Sequence, residues 1–385
     1  MLIFNTWGIV ITFGAYQTFY ESGTLFTQTP SNISWIGSLQ ALLVFTVGCI
    51  VGPIYDRGHL RFLLSVGSFC IVFGHMMLSL STAYWHALLA QGVVVGIGSG
   101  CLFVPAFAIM QPYFSTHLGL AVGIAATGSA AGGIVYPVIF TNLIGKVGFG
   151  WTVRVIGFVA LATLLIPLAV SKIRIKAPGV RKLVDWEAFT DGPYMLCIFG
   201  CLLGYTGCYT AFYYVSFYGE AKGWMSSSMA LYLVPILNAG SVFGRVAPNW
   251  LANKIGPTNV LIPGAIMTGV LLLCNIAVHN SAGLIATTFF FGLFSGMFVA
   301  TPVLLLIALI KDKRKLGTRM GMAFTMMGLG VLSGGPGSGG VLQGHPERLD
   351  WSGMWAYGGV FAMSAGLIFC VLRVWVGGWK LRVKV

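Results

Sequence analysis

This sequence predicts an all-α integral membrane protein: about twelve transmembrane helices in two six-helix halves. Three observations lead there. The chain of 385 residues is 57% hydrophobic and only 8% charged, with a mean hydropathy of +0.87, far too little polar surface for a soluble globule. Apolar runs of bilayer-spanning length, about 20 helical residues, recur along the whole chain. A charged motif near the end of the second run returns, weakened, near the end of the eighth.

The spans read 2–20, 35–55, 62–81, 85–110, 118–143, 152–171, 193–218, 227–250, 258–278, 283–310, 318–342 and 352–376. Strands of a membrane barrel alternate polar and apolar residues, whereas "VLLLIALI" and "VFAMSAGLIFCVL" do not alternate. The first span has no basic lead and no small-residue cleavage site, so it reads as a helix and not a signal peptide. "GGPGSGG" (334–340) lacks the Lys-Ser/Thr ending and the preceding strand of a phosphate loop, and predicts a broken or kinked span 11. GxxxG spacings at Gly92/Gly96/Gly100, Gly119/Gly123, Gly128/Gly132, Gly240/Gly244, Gly292/Gly296 and Gly317/Gly321 predict close helix packing.

Charge sets the expected topology. With odd-to-even loops outside, 18 of the 22 Lys and Arg fall on or near the inner side, and only Lys146, Arg154, Lys222 and Arg348 fall on the other. That asymmetry is the positive-inside pattern, and it places both termini in the cytosol. The net charge of +13 is therefore topology, with the lipid bilayer as its partner and no basic face on a soluble domain to hold nucleic acid. The longest inner loop, 172–191 ("KIRIKAPGVRKLVDWEAFTD"), divides six spans from six. The domains expected are thus 1–171, a cytosolic linker 172–191, and 192–385.

The charged motif is "GPIYDRGHLR" (52–61), answered by "NWLANKIGPT" (249–258). Asp56 corresponds to Asn253 and Arg57 to Lys254, 197 residues apart, so half the chain repeats the other half. A short cytosolic turn needs Gly52 and Gly58 for close approach and tight bending, and Arg57 and Arg61 to stay inside. An acid on that face does nothing for orientation. Asp56 is expected to pair with Arg57 or Arg61, or to sit at a neighbouring helix N-terminus, as a conformational latch broken when the halves rock apart. The alternative is that the cations only set topology and Asp56 offsets them.

Charges inside the bilayer are expensive and usually functional. Arg245 is the clearest, in "LNAGSVFGRVAPN" of the eighth span, with Asn238 two turns earlier on the same face. It either binds an anionic substrate or only extends to the cytosolic interface. In the seventh span, "GYTGCYTAFYYVSFYGE", Tyr205, Tyr209, Phe212, Tyr213 and Ser216 share one face. An aromatic stripe of this kind is packing or a site wall, and buried tyrosine hydroxyls need partners. Asn5, Tyr16 and Gln17 in the first span and Gln91 in the fourth are further polar candidates, whereas His75 reads as satisfied inside the bundle and Arg154 as interfacial.

Eight cysteines lie in apolar stretches without metal-ligand spacing. No nucleophile triad, nucleotide loop or metal cluster appears in the sequence, so the expectation is no enzyme, no cofactor and no metal.

"GPIYDRGHLR" resembles the loop 2–3 signature of the major facilitator superfamily. "GAYQTFYES", "SWIGSLQALLVFTVGCIVGPIYDRG", "LAQGVVVGIGSGCLFVPA", "GFGWTVRVIGF" and "NAGSVFGRVAPNWLANKIG" are similar to fungal members of its monocarboxylate-porter family. The resemblance spans nearly the whole chain and implies the major facilitator fold, with alternating access around a midplane site. It also implies that Arg245 binds a substrate carboxylate and Asp56 is a latch. Two departures stand out. His59 replaces the usual Gly, and the acidic-Gly-Gly and Trp signature ahead of helix 1 is missing because the chain starts inside that helix, as a shortened gene product would.

The expected function is a monomeric secondary transporter in the plasma membrane moving a small organic anion such as a monocarboxylate. The runner-up is an efflux pump for a fungal secondary metabolite. A non-transporting, receptor-like pseudo-transporter is the reading from another class, raised by the short first helix and by Asn253 in place of the second-half acid. The resembled animal porters carry an Asp one turn before the helix 8 Arg and a Lys in helix 1. Here Ser241 holds the first position and the first span has no Lys. The nine acids all map to loops or span ends, so transport is expected to be facilitative or weakly proton-driven, any proton entering on the substrate, Glu21 or His75. Topology has a direct check: tags in the 172–191 loop and at Val385 should both resist external protease in intact cells, and cleavage of either overturns the orientation.

Overall fold

The computed structural model describes residues 1–110, 113, 118–174, 179–310, 312, 314–344 and 349–378. Among these residues every regular element is helical. A bilayer demands this, because a spanning segment must pair its own backbone N–H and C=O groups.

The first span, α1, is two segments, Leu2–Ile11 and Phe13–Glu21, meeting at Thr12, whose hydroxyl donates back to Gly8 O at 2.7 Å. Then come α2 (Pro30–Asp56), started by Pro30 at the first turn and capped by Thr29, α3 (Leu60–Leu78) and α4 (Tyr84–Ala108). Within α4, residues Leu88–Val95 are wound as a π-helix that carries Gln91. Leu118–Val170 is helical except at Gly148, whose φ of 74° turns the chain back. The sequence separates these as spans 118–143 and 152–171. The structure needs one left-handed residue to do it, and only glycine adopts that conformation without a Cβ penalty. The two arms, 118–147 and 149–170, are α5 and α6.

After the linker, whose residues Trp186–Thr190 form a 3-10 turn, come α7 (Gly192–Ala221), α8 (Ser227–Leu231 with Leu233–Ile255) and α9 (Pro257–Cys274). They are followed by α10 (Ser281–Leu309), α11 (Leu316–Leu342) and α12 (Trp351–Gly377). Asp191, Ser226, Asn280 and Asp350 cap α7, α8, α10 and α12 by accepting from backbone N–H groups of the first turn. Nine helical runs among the described residues are long and apolar enough to cross a membrane, and one of them, Gly123–Val170, is long enough to cross twice.

Span 11 is not broken. "GGPGSGG" lies inside the continuous helix α11. Its glycines serve close approach instead: a Cβ at Gly334 would press on Thr206 and Tyr209 of α7, and one at Gly339 would stand 2.7 Å from Ser31 of α2. Pro336 gives up an N–H, and its carbonyl accepts from Ser31 Oγ at 3.0 Å.

Among the described residues, the main pairs joining the first six helices to the last six are α2 with α11, α5 with α8, and α1 with α7. Within the last six, α8 and α10 pack reciprocally. A Cβ at Gly240 or Gly244 would overlap the backbone of Phe289 or Leu293, and one at Gly292 or Gly296 would overlap that of Leu237 or Ser241. Without a hydrophobic driving force between helices in lipid, such small-residue contact is a main source of association. Gly244→Leu should therefore abolish a monodisperse, heat-stable species in size-exclusion and thermal-shift assays. Gly340→Ala, where nothing lies within 4 Å of the new methyl, should leave both unchanged.

Candidate functional site

Arg245 is 5% exposed and lies where α8 meets α5. Its Nε donates to Ser241 Oγ at 3.1 Å, one turn back on α8. Its Nη1 donates to Ala126 O at 3.0 Å and to the Ser129 hydroxyl, both on α5. Among the described residues no carboxylate pairs with it. The guanidinium thus keeps its charge in the bundle by dividing it among neutral oxygens from both sets of six helices. Such oxygens are weaker acceptors than an anion. Two turns away, Asn238 is fully buried against Gly133 of α5. Its Nδ2 donates to Val234 O at 2.9 Å and its Oδ1 has no partner.

Tyr205 and Tyr209 of α7, each 4% exposed, stand within electrostatic reach of Arg245 and stack with centroids 6.4 Å apart. Tyr209 meets Tyr213 edge-on at 5.3 Å, and Tyr213 meets Phe13 of α1 at 4.9 Å. Phe45 of α2 closes the lower side, edge-on to Tyr205 and stacked on Phe324 of α11. The result is an aromatic wall with one cation beside it, at the seam between the two sets of helices.

The other candidates do different work. Asn5 is satisfied within the first six helices: its Oδ1 accepts from Tyr136 at 2.5 Å and Thr163 at 3.0 Å. Gln91 accepts from Tyr20 at 2.9 Å, and Gln17 donates to Glu21 at 2.7 Å and to Pro30 O at 3.3 Å. The fold therefore brings Arg245, Asn238, Tyr205, Tyr209 and Tyr213 to one seam, while Gln17 and Gln91 face partners nearer the ends of α1 and α4. Tyr16 is packed against Phe140. His75 Nδ1 lies 2.7 Å from Ile71 O, and Arg154 bonds Ser79 and covers the Trp151 ring.

Asp56 pairs with neither Arg57 nor Arg61, which are both exposed. Its partner is Arg181 of the linker, whose Nη2 and Nε reach the two carboxylate oxygens at 2.6 and 2.7 Å while its backbone N–H adds a third bond at 3.1 Å. The reason is direction. Asp56 ends α2 facing the bundle with its side chain 3% exposed, whereas Arg57 and Arg61 point to solvent. Gly52 makes room for the incoming side chain, and so does Gly317 of α11: a Cβ there would lie 3.1 Å from Arg181 Cδ and 2.8 Å from its Nη1 respectively. Arg181 is thus wedged between α2 and α11.

The linker continues onto the second set of helices. Thr318 donates to Lys182 O at 2.7 Å, and Arg319 pairs with Asp185 at 2.8 Å and Asp191 at 2.7 Å. Lys315 pairs with Glu187 and, at 3.6 Å, with Asp185. The hydrogen bond from Arg319 holds the Asp185 carboxyl below its ordinary value of 3.8. A depressed carboxylate contributes above its unfolded value and loses its contribution only as pH falls through the folded one, so this tether is intact at neutral pH.

The comparisons with known proteins agree with this architecture. The profile of the Major Facilitator Superfamily matches residues 1–260. The chain belongs to the major facilitator superfamily. It is 54% identical over 371 residues to the MFS-type transporter dbaD of Emericella nidulans, covering 96% of this chain and 83% of that protein. The aspyridones efflux protein apdF of Emericella nidulans is 32% identical, over 95% of this chain and 76% of its own. Among solved structures, the nucleoside transporter NupG (D323A mutant) superposes with a TM-score of 0.73 at 14% identity, over 96% of this chain and 98% of that one. At that identity it speaks for the fold alone.

Sequence reasoning found this facilitator's buried Arg245 but missed the α5 groups that hold it, since a backbone carbonyl and a lone Ser129 carry no motif. It also missed Arg181. The available signal was steric: a glycine one turn before Asp56, and another two residues before Arg319, leave a slot for a long cation. Charge-assisted hydrogen bonds contribute about 1.5–3 kcal/mol each, and solvent on one side of Arg181 keeps the pair at the low end. Arg181→Ala and Asp56→Asn should each shift the conformational balance about tenfold, and the double variant no further than either single one. Site-directed spin labels across the Asp56 end of α2 and the Leu316 end of α11 would read this. Additive shifts would separate the two residues.

Proposed function

We propose that this facilitator exports an amphipathic organic anion by alternating access. The six-helix halves 1–171 and 192–385 rock about the α2–α11, α5–α8 and α1–α7 seams, and the linker 172–191 straps their cytosolic side. One observation carries the reading: a buried guanidinium with no carboxylate partner among the described residues stands beside the α7 tyrosines at the seam. An anion arriving there replaces neutral oxygens with a charged, bidentate acceptor. A small monocarboxylate would satisfy Arg245 and leave the aromatic wall unused. A compound with an apolar or aromatic body uses both.

The efflux direction draws support from the relatives, one of which is named as an efflux protein at 32% identity. The transport itself follows from the family. In this proposal the protein lies in the plasma membrane with both termini cytosolic, acts as a monomer, and uses Asp56 with Arg181 as the inner latch. Asn238, whose Oδ1 is unpartnered, offers the substrate an acceptor for a hydroxyl or amide donor.

The test is flux of aromatic organic anions and small monocarboxylates in proteoliposomes. Arg245→Ala should lower anion flux by tenfold or more, the worth of one charged hydrogen-bonded contact. Ser241→Ala should lower it only a few-fold, because Ala126 O and Ser129 still hold Nη1. Full activity of the Arg245→Ala protein overturns the site. Flux of small monocarboxylates exceeding that of the aromatic anions overturns the substrate class, and binding without flux of any compound would make the protein a receptor.

A further inference from the structure

The outer end of the bundle holds a carboxylate that the transport site does not use. Glu21 ends α1 and is partly buried. Every other acid described has an evident task. Asp56, Asp185, Glu187 and Asp191 pair with cations of the inner clamp. Asp350 caps α12, Asp312 accepts the backbone N–H of Arg314, and Glu220 accepts from Ser227. Among the described residues, Glu21 accepts from an amide alone, Gln17 Nε2, at 2.7 Å.

That amide sits in the seam. Gln17 is fully buried, and its Nε2 also lies 3.3 Å from Pro30 O of α2. The same carbonyl accepts from Tyr214 of α7 at 3.0 Å, and Tyr214 in turn lies 3.2 Å from Gly335 O of α11. Beside these bonds Ser31 of α2 donates to Pro336 O of α11. Gln17 and Tyr214 thus meet on one carbonyl where α1, α2, α7 and α11 close the outer side. Yet Gln17 Oε1, buried in the same place, has no donor among the described residues. An orphaned buried acceptor loses its hydration with nothing in exchange. A carboxylic acid beside it supplies the missing donor: its O–H bonds Oε1 while its carbonyl oxygen keeps the Nε2 bond, a two-bond acid–amide pair.

We propose that Glu21 is a proton-binding site that locks the outer seam: the neutral acid completes the Gln17 pair in the closed state, and the carboxylate, hydrated, favours the open one. The proton moves from outer water to a Glu21 carboxylate oxygen on closing and returns to water on opening. This rests on the orientation proposed above. Because Glu21 exchanges with the outer medium, it regulates transport without driving it.

Among the described residues, the titratable and charged groups on the helices around it include these, and Glu220 of α7, which accepts from Ser227. Tyr214 of α7 is within electrostatic reach of Glu21. Tyr20, on α1 itself, donates to Gln91 of α4. On α7, Tyr218 bonds Asn275 O and Lys222 lies over the Tyr218 ring at 5.8 Å. On α8, Tyr232 accepts from Asn142 of α5, and Lys146 lies further along α5. The outer halves of α2 and α11 carry no charged residue. Among the described residues, neither lysine forms an ion pair with Glu21.

The experiment needs no substrate, so its failure is distinct from failure of the transport reading. Spin labels on cysteines placed at Asn32 and Gly340 report the α2–α11 outer distance across a pH series, with Cys49, Cys70, Cys274 and Cys370 replaced by alanine. In parallel, infrared difference spectra follow the protonated carboxyl stretch. The expected result is a distance that lengthens as pH rises, with loss of a carboxyl band. Glu21→Gln should lack that band and stay closed at every pH, because a neutral amide also donates to Oε1. Gln17→Leu should shift the midpoint to lower pH. A wild-type distance that ignores pH, or a Glu21→Gln protein that responds as wild type does, overturns the proposal.

Discussion

A charge taken into this bundle must be partnered, and the rest of the structure is arranged around where that is done. With 9 acids and 22 strong bases in 385 residues, each charge away from water is an exception with a local reason. Arg245 is held by a carbonyl and two hydroxyls, Asp56 by a forked guanidinium, and Arg319 by two carboxylates. In each case at least one partner comes from a different helix or from the linker. The same contacts that neutralise charge therefore set how the halves lie against one another.

The clamp and the site are two ends of one mechanical problem. Helices α2 and α11 pack along their length, from Ser31 and Pro336 at one end to Cys49 and Gly321 at the other. Glycine makes this contact close, and Arg181 fills the space that Gly52 and Gly317 leave at the Asp56 end. Any motion that widens that end must withdraw Arg181 from Asp56. Further along the seam, Arg245 ties α8 to α5 through Ala126 O and Ser129. Reorganisation of a few polar contacts between rigid helices is the usual way such folds switch between discrete states.

Much of the fold was legible in the chain, and the reason is the bilayer. Hydropathy marks a span because lipid accepts only helices with satisfied backbones, and the predicted boundaries fall within a few residues of α2, α3, α9 and α12. Composition misled where it was read as a break in span 11. The Gly-Pro-Gly run stays helical, and glycine at Gly334 and Gly339 lets α7 and α2 approach closely. Of the candidate site, Arg245 and the α7 tyrosines could be found because rarity and periodicity are properties of sequence.

The sequence by itself determined everything that depends on local chemistry: helices, their number, the face of α7 that carries tyrosine, and the position of each charge along the chain. Only the tertiary structure decided which groups meet. Asp56 chose Arg181 at a separation of 125 residues over two nearer cations, Arg245 found Ser129 on another helix, and Gln17 came to share a carbonyl with Tyr214. Pairing depends on direction and distance in space. A side chain at the end of a helix points where packing turns it, and sequence neighbours on that turn point elsewhere.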